Sequence, residues 1–526
     1  MSQLVSIRVR IIVAMARSVS NQPVVILLAL ALFLSACASA APVAGQEATA
    51  TPSPSLATTQ PVITSTSLPA RPLYDPGQLV DYIAQTGDTL IGLAARFNTS
   101  IAEILAANPI VPQSATTLPP GLPMLIPIYY RAFWGSAYAI IPDSQFVNGP
   151  AAIDFDTQAF VDAHDGWLKS YRAYASGRTR TGAGLVDLVA TSFSVSPRLL
   201  LALLEYQAGA LSQPVLDESK TTYPLGHESY RNPGVYLQLV WAANQLNNGF
   251  YLWRNGKLIE FERSDGTIFR PDPWQNAASV ALQLFFNTTE SAAKFDSAMG
   301  PEGFALTFAT LFGDPWVNDI PHIQGSLEQP ELRLPFPPGE AWALTGGPHT
   351  GWGQGEPWAA LDFAPGEKRG CLTSDQWATA MADGIVVRTD VGTVVLDLDG
   401  DGDERTGWVL FYLHIAKQER AQFGAQLLAG QPVGHPSCEG GSSTGTHVHV
   451  ARKYNGEWID AAGALPFVME DWTPQDGSEA YAGLLTRQGH VVRACTCSDA
   501  ASAIVSQAPF VALPTPQVDA TESANN

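Results

Sequence analysis

The sequence predicts a multidomain α+β protein: a small βααβ module, a mostly α-helical middle and an antiparallel β-sheet domain. Three observations carry this. The chain has 526 residues, enough for several domains. Apolar periodicity is helical over much of the middle, and Val- and aromatic-rich runs of strand length follow it. Runs of Ala, Thr, Pro and Ser with few large apolar residues bound the folded part at both ends.

In chain order, Arg8, Arg10 and Arg17 precede the apolar run 24–34, and Leu34-Ser35-Ala36-Cys37 follows. This is a signal-peptide layout. It resembles a bacterial lipobox, which implies that residues 1–37 are a lipoprotein signal and that Cys37 becomes the lipidated first residue. The implied location is extracytoplasmic, anchored to the bacterial cell membrane and facing the cell wall. Residues 38–77 are expected to be a disordered linker.

Residues 78–129 open with a short strand at Tyr82–Ala84. A helix follows with Leu90, Leu93, Ala94 and Phe97 on one face. Ser100 and Glu103 form a capping box for a second helix that ends near Asn108-Pro109, and residues 119–128 close the unit with a strand. The module resembles a LysM domain at Gln85-Thr86-Gly87-Asp88-Thr89-Leu90 and at Asn108-Pro109. The resemblance implies binding of N-acetylglucosamine chains between those loops, by Gly87, Asp88, Thr89, Asn108 and Pro109.

Residues 135–325 show helical segments at 184–193, 197–208, 234–247 and 275–286, with Pro197 at a first helical position. The run Val195 to Gly209 resembles the catalytic helix of lytic transglycosylases and goose-type lysozymes. Gln207 and Ala208 stand where that family has Glu and Ser. An amide cannot protonate a glycosidic oxygen, and Glu205 lies about 200° away around the helix, so the domain is expected to be inactive.

Residues 326–500 carry strands expected at 384–388, 393–398, 407–414 and 447–453. Five of the nine histidines fall between residues 349 and 449. His447 and His449 project from one strand face, and a third His with an Asp completes a set suited to zinc, which in catalytic sites keeps three protein ligands. The order His349, Asp362, His414 and Gly445-Thr446-His447-Val448-His449 resembles lysostaphin-type zinc endopeptidases, in particular the staphylolysin and β-lytic branch. The resemblance implies one Zn²⁺ held by His349, Asp362 and His449, with His414 and His447 as catalytic residues. It also implies peptidoglycan, both glycan chains and peptide stems, as the partner and substrate. A non-catalytic peptidoglycan-binding scaffold or hydrolase activator is the alternative, and the complete residue set argues against it.

Between the second and third strands lies Asp397-Leu398-Asp399-Gly400-Asp401-Gly402-Asp403-Glu404, similar to the first half of a calcium loop. Trp408 stands where the twelfth-position Glu belongs, so a solvated acidic hairpin is preferred over Ca²⁺ at Asp397 to Asp403. Net charge is −20 with no Lys/Arg-rich run, which argues against nucleic acid. Cys371, Cys438, Cys495 and Cys497 suggest disulfides, with cross-domain pairing preferred. Residues 501–526 are expected to be a disordered tail.

Overall fold

Two helix caps and one strand ladder satisfy the backbone of residues 78–128. Thr89 accepts the Gly92 amide and opens α1 (Leu90–Arg96). Ser100 and Glu103 exchange the reciprocal bonds of the expected capping box and open α2 (Ile101–Ala107). Strands β1 (Gln78–Ile83) and β2 (Pro123–Ile128) pair antiparallel along their whole length. Leu93, Phe97, Ile104, Leu118 and Ile126 fill the small core. The first strand thus ends, rather than begins, near Tyr82.

The computed structural model describes residues 73–507, except 318, 367–369 and 497–499. The signal segment with Cys37, nearly all of the 38–77 linker, Cys497 and residues 508–526 lie outside the described residues. The described residues belong to one compact unit, residues 68–526.

The middle region is built on α3 (Gly182–Phe193), α4 (Pro197–Ala208), α5 (Gly234–Arg254), α6 (Ala277–Thr289) and α7 (Phe304–Phe312), joined by shorter helices and hairpins. In α4 Leu199 to Leu204 are all fully buried, and Gly209 ends the helix in the left-handed conformation. α5 is seven residues longer than its sequence pattern suggested, and α7 was not expected. Its sequence Phe-Ala-Leu-Thr-Phe-Ala-Thr-Leu-Phe is apolar on too many sides to show a clean helical stripe.

The third region rests on a nine-stranded antiparallel sheet: β3 (Ala341–His349), β4 (Ala360–Pro365), β5 (Gly384–Asp390), β6 (Thr393–Asp397), β7 (Trp408–Leu413), β8 (Gln426–Leu427), β9 (Val448–Tyr454), β10 (Glu457–Trp458) and β11 (Ala503–Val505). The spatial order is β8-β5-β6-β7-β9-β4-β3-β11, with β10 paired to β9. Side chains of β7 sort by period two. Val409, Phe411 and Leu413 join the core of the helical region, while Leu410 and Tyr412 join a second core with Leu361, Phe363, Val448 and Val450. Both sheet faces are covered, which explains the nearly continuous apolar runs.

Two expectations are corrected here. Residues 501–526 are not a disordered tail throughout: Ala503–Val505 form β11 against β3, and Ile504 is buried. Three residues with one buried side chain are too short to read as a strand from sequence. The cross-domain disulfide is likewise not formed by Cys371, which pairs with Cys438 inside the sheet region. Both cysteines lie in loops at the same end of the sheet. Cys495 is also disulfide-bonded.

One segment ties the three regions together. Residues 322–327, between α7 and the sheet region, cross the loops of the first module. Thr86 Oγ1 accepts the Ile323 amide at 2.9 Å and donates to the Ile323 carbonyl at 3.2 Å. Thr117 accepts from Leu327 and donates to the Gln324 carbonyl, and Thr116 donates to the Leu327 carbonyl. Nearby, buried Arg254 at the end of α5 bonds the Thr86 carbonyl and pairs with Asp143 and Glu457, each at 3.1 Å.

Candidate metal centre

The ladder between β4 and β9 places Asp362 directly opposite His449. Strand alternation turns both toward the helical region, away from the core that takes Leu361, Phe363 and Val450. β3 flanks β4 on its other side and ends at His349. Gly346 faces Asp362, and a Cβ there would lie 2.6 Å from Asp362 Oδ2, so only glycine leaves the carboxylate its room. Neither β3 nor β4 was expected, although they carry two of the three candidate ligands.

Four backbone carbonyls then fix four imidazoles. His349 Nδ1 lies 2.8 Å from the Gly347 oxygen and His449 Nε2 lies 3.1 Å from that of Gly351. His414 Nδ1 lies 3.0 Å from the Glu439 oxygen and His447 Nδ1 lies 2.8 Å from that of Gly445. A carbonyl only accepts, so each of these nitrogens carries the proton and donates. In the neutral form of each ring the other nitrogen keeps a lone pair. His349 Nε2 and His449 Nδ1 stand 3.0 Å apart, and each is 3.2 Å from Asp362 Oδ1.

Two lone pairs and a carboxylate oxygen this close repel one another unless a cation or a proton lies among them. Asp362 Oδ1 is buried and accepts no hydrogen bond. Zinc–nitrogen distances of about 2.0–2.1 Å at tetrahedral angles put ligand atoms about 3.3 Å apart, so the spacing fits a metal. The electrostatics agree. Burial alone would raise the Asp362 pKa, but His349 and His447 hold it well below the usual carboxylate range. Burial opposes charge on His349, yet Asp362 outweighs it and raises its pKa.

His414 and His447 stand beside this cluster, with ring centroids 4.5 Å apart. His447 Nε2 is 3.6 Å from Asp362 Oδ1. Burial, with His447 and His449 nearby, pushes the His414 pKa down to about 3, so it is neutral at ordinary pH. Its backbone sits at φ +66°, a conformation that costs a non-glycine residue about 1 kcal/mol or more and gathers at functional sites. The loop that bears its orienting carbonyl is stapled by the Cys371–Cys438 disulfide. His435, the fifth histidine of the stretch, lies apart with Gln376 and Glu419.

Sequence reasoning missed the orienting carbonyls of Gly347, Gly351, Glu439 and Gly445. It also missed Tyr481, whose ring stacks on His349 at 4.1 Å from 132 positions away. Backbone carbonyls leave no residue signature, and Tyr481 has no motif around it.

The other candidate residues are spent differently. Asp88 is buried, accepting from Tyr82 Oη and the Gln85 amide and pairing with Arg96 at 2.7 Å. Thr89 caps α1, and Gly87 packs under the Arg254 guanidinium. Asn108 bridges Ile104 and Leu125, while Pro109 is exposed. In the acidic loop, Asp397 Oδ2 accepts from Gly402, and Asp397, Asp399 and Asp401 each accept the amide two residues on. Glu205 turns back to cap its helix through Leu211 and Ser212, and Gln207 reaches Thr289.

Comparison with known proteins places these observations. Residues 139–325 match the family model described as LasA, N-terminal domain, and residues 82–127 match the LysM domain. Protease LasA of Pseudomonas aeruginosa is 26% identical over 343 residues, 61% of this chain and 75% of that protein. The chain is homologous to Protease LasA. Beta-lytic metalloendopeptidase of Achromobacter lyticus is 30% identical over 140 residues, covering 25% of this chain and 35% of that protein. Among solved structures, the M23 metalloprotease Pseudoalterin shows 22% identity and a TM-score of 0.28, covering 32% of this chain and 96% of its own. The chain thus has a metalloendopeptidase among its relatives, and the helical region matches the LasA N-terminal domain.

Proposed function

We propose that the chain is a zinc-dependent endopeptidase that hydrolyses peptide bonds of bacterial peptidoglycan. The observation that carries this is the convergence of His349 Nε2, His449 Nδ1 and Asp362 Oδ1, with two further imidazoles beside them. His349, Asp362 and His449 would hold the metal. When bound, zinc supplies Lewis-acid polarisation of the scissile carbonyl and a water of lowered pKa.

The chain's own groups do the rest. Gly347 and Gly351 keep the two ligand rings in the tautomers that expose a lone pair. His414 and His447 hold their free nitrogens ready to accept a proton from the attacking water and to return one to the leaving amine. Burial of the cluster excludes bulk water and strengthens each electrostatic contact.

The domain organisation proposed is a lipid-bearing leader ending at Cys37, a linker to residue 77, a LysM module at 78–129, an inactive helical domain at 135–325 and the peptidase domain at 326–500. The LysM match supports glycan strands as a partner, and the disulfide supports an oxidising, extracytoplasmic location. The test is mass spectrometry of muropeptides released from purified cell wall, with and without chelator. Peptide-bond cleavage that stops on chelation is expected; cleavage indifferent to metal removal overturns the reading.

A further inference from the structure

β3 and β4, which carry His349 and Asp362, are joined by a loop, residues 350–359, that also orients the third ligand. The carbonyl of Gly351 accepts from His449 Nε2 at 3.1 Å. That bond keeps the His449 proton on Nε2 and leaves Nδ1 free to face His349 and Asp362. The position of one loop peptide therefore sets the tautomer and ring plane of a metal ligand on another strand.

Inside the sheet region that peptide is held by the Gly351 amide on the Pro357 carbonyl and by packing against Trp458. Beyond it, the loop turns to the helical region. The Gln354 amide donates to Asn244 Oδ1 at 2.7 Å, and the Glu356 amide donates to Asn248 Oδ1 at 2.8 Å. Asn244 and Asn248, one helical turn apart on one side of α5, thus offer two acceptors to alternate amides of the loop.

Three details mark this contact as built. Asn244 Nδ2 donates to the Val240 carbonyl at 2.9 Å, which leaves Oδ1 as the atom facing the loop. A Cβ at Gly353 would lie 2.5 Å from Asn244 Oδ1, and one at Gly355 would lie 2.1 Å from Asn248 Oδ1. Both glycines have φ near +87°, where a side chain is strained whatever the space. Asparagine is also a poor residue for a helix interior, so its use at both positions asks for a reason outside the helix.

We propose that Asn244 and Asn248 are positioning residues: through the 353–356 segment they hold the Gly351 carbonyl that orients His449. The helical region is then a working part of the metal centre. The proposal rests on the metal-site reading above, and its test separates the two.

The experiment uses the full mature chain with Asn244→Leu/Asn248→Leu, which removes both acceptors, and Asn244→Asp/Asn248→Asp, which keeps them. In metal-free protein, the ring-nitrogen NMR shifts of His449 report its tautomer. The parent and the Asp pair should show a single Nε2–H form, and the Leu pair a mixture. Zinc competition with a chromophoric chelator should show the Leu pair weaker by about 10- to 100-fold, the scale for losing a ligand's orienting partner. The absorption bands of the cobalt-substituted protein should shift in parallel, with the Asp pair close to the parent in both. A folded Leu pair with the parent tautomer, zinc affinity and cobalt spectrum overturns the proposal, as does an Asp pair as impaired as the Leu pair. If the Leu pair does not fold, Asn248→Leu alone is read by tautomer: a mixture supports the proposal, and a single form overturns it. A parent that binds no zinc while the tautomer result holds would defeat the metal reading alone.

Discussion

Two places among the described residues bring three ligating groups within 4.8 Å of one another: His349 with Asp362 and His449, and Asp397 with Asp399 and Asp401. By proximity they are equals. They differ in what their atoms already do. In the acidic loop each carboxylate accepts a backbone amide, and the following Glu404 sits between Arg388 and Lys453. In the histidine cluster one nitrogen of each ring donates outward to a carbonyl, and the inward nitrogens of His349 and His449 face each other and Asp362 Oδ1. A metal centre is recognised by what is left unpaired after the structure has been satisfied.

The comparison can be broken most forcefully at the ligands. His449→Ala and His349→Ala should each lose stoichiometric zinc and activity together, by metal analysis and peptide hydrolysis. His414→Ala and His447→Ala should keep zinc and lose rate by about 10²-fold or more, the scale of acid–base partners. If all four variants lose metal alike, the division into ligands and catalytic residues is wrong.

The acidic loop should answer through stability instead. Glu404→Gln leaves Arg388 and Lys453 short of a partner in a buried setting and should cost about 3–5 kcal/mol in denaturant unfolding. Burial alone would raise the Glu404 pKa, but Arg388 and Lys453 outweigh it and hold it at about 2. A depressed carboxylate pKa stabilises the fold above the unfolded value near 4.5. That contribution should drain away as pH falls from about 4.5 to about 2, and the Gln variant should lack this part of the acid sensitivity. Parallel pH profiles for parent and variant would show that Glu404 does not supply it.

Smallest of all is the expected response of the exposed carboxylates. Asp401→Asn should change stability by no more than about 0.5 kcal/mol and leave zinc content alone. Calcium added to the zinc-loaded protein should leave its melting temperature where it was. A clear calcium-dependent rise would put the two clusters back on equal terms.

Sequence reasoning reached the parts whose rule is local. The Ser100–Glu103 box and Pro197 at a helix start act within a few residues, and both are seen in the structure, while of the His-x-His pair His449 lies in β9 and His447 just before it. β3 and β4 were invisible because Ala-Trp-Ala-Leu-Thr-Gly-Gly-Pro-His and Ala-Leu-Asp-Phe-Ala-Pro contain strand breakers and little alternation. They are strands because β9 and β11 give them ladders, a fact set by residues far along the chain. The inward commitment of Asp88 and Asn108 leaves no motif either: Tyr82, Arg96 and Leu125 spend those polar atoms.

The threonine contacts that grip residues 322–327 carry a consequence for the order of assembly. Thr86 and Ile323 are 237 positions apart, and Thr117 and Leu327 are 210 apart. Loops of that length close slowly, because the chain entropy is lost before the contact is gained. The first module has its own core and the local contacts to form early. Its grip on the connecting segment must wait until the helical region has folded and delivered Ile323 to Thr86. That closure joins the first module to the connector between the helical and sheet regions, so it belongs among the late steps on the folding path.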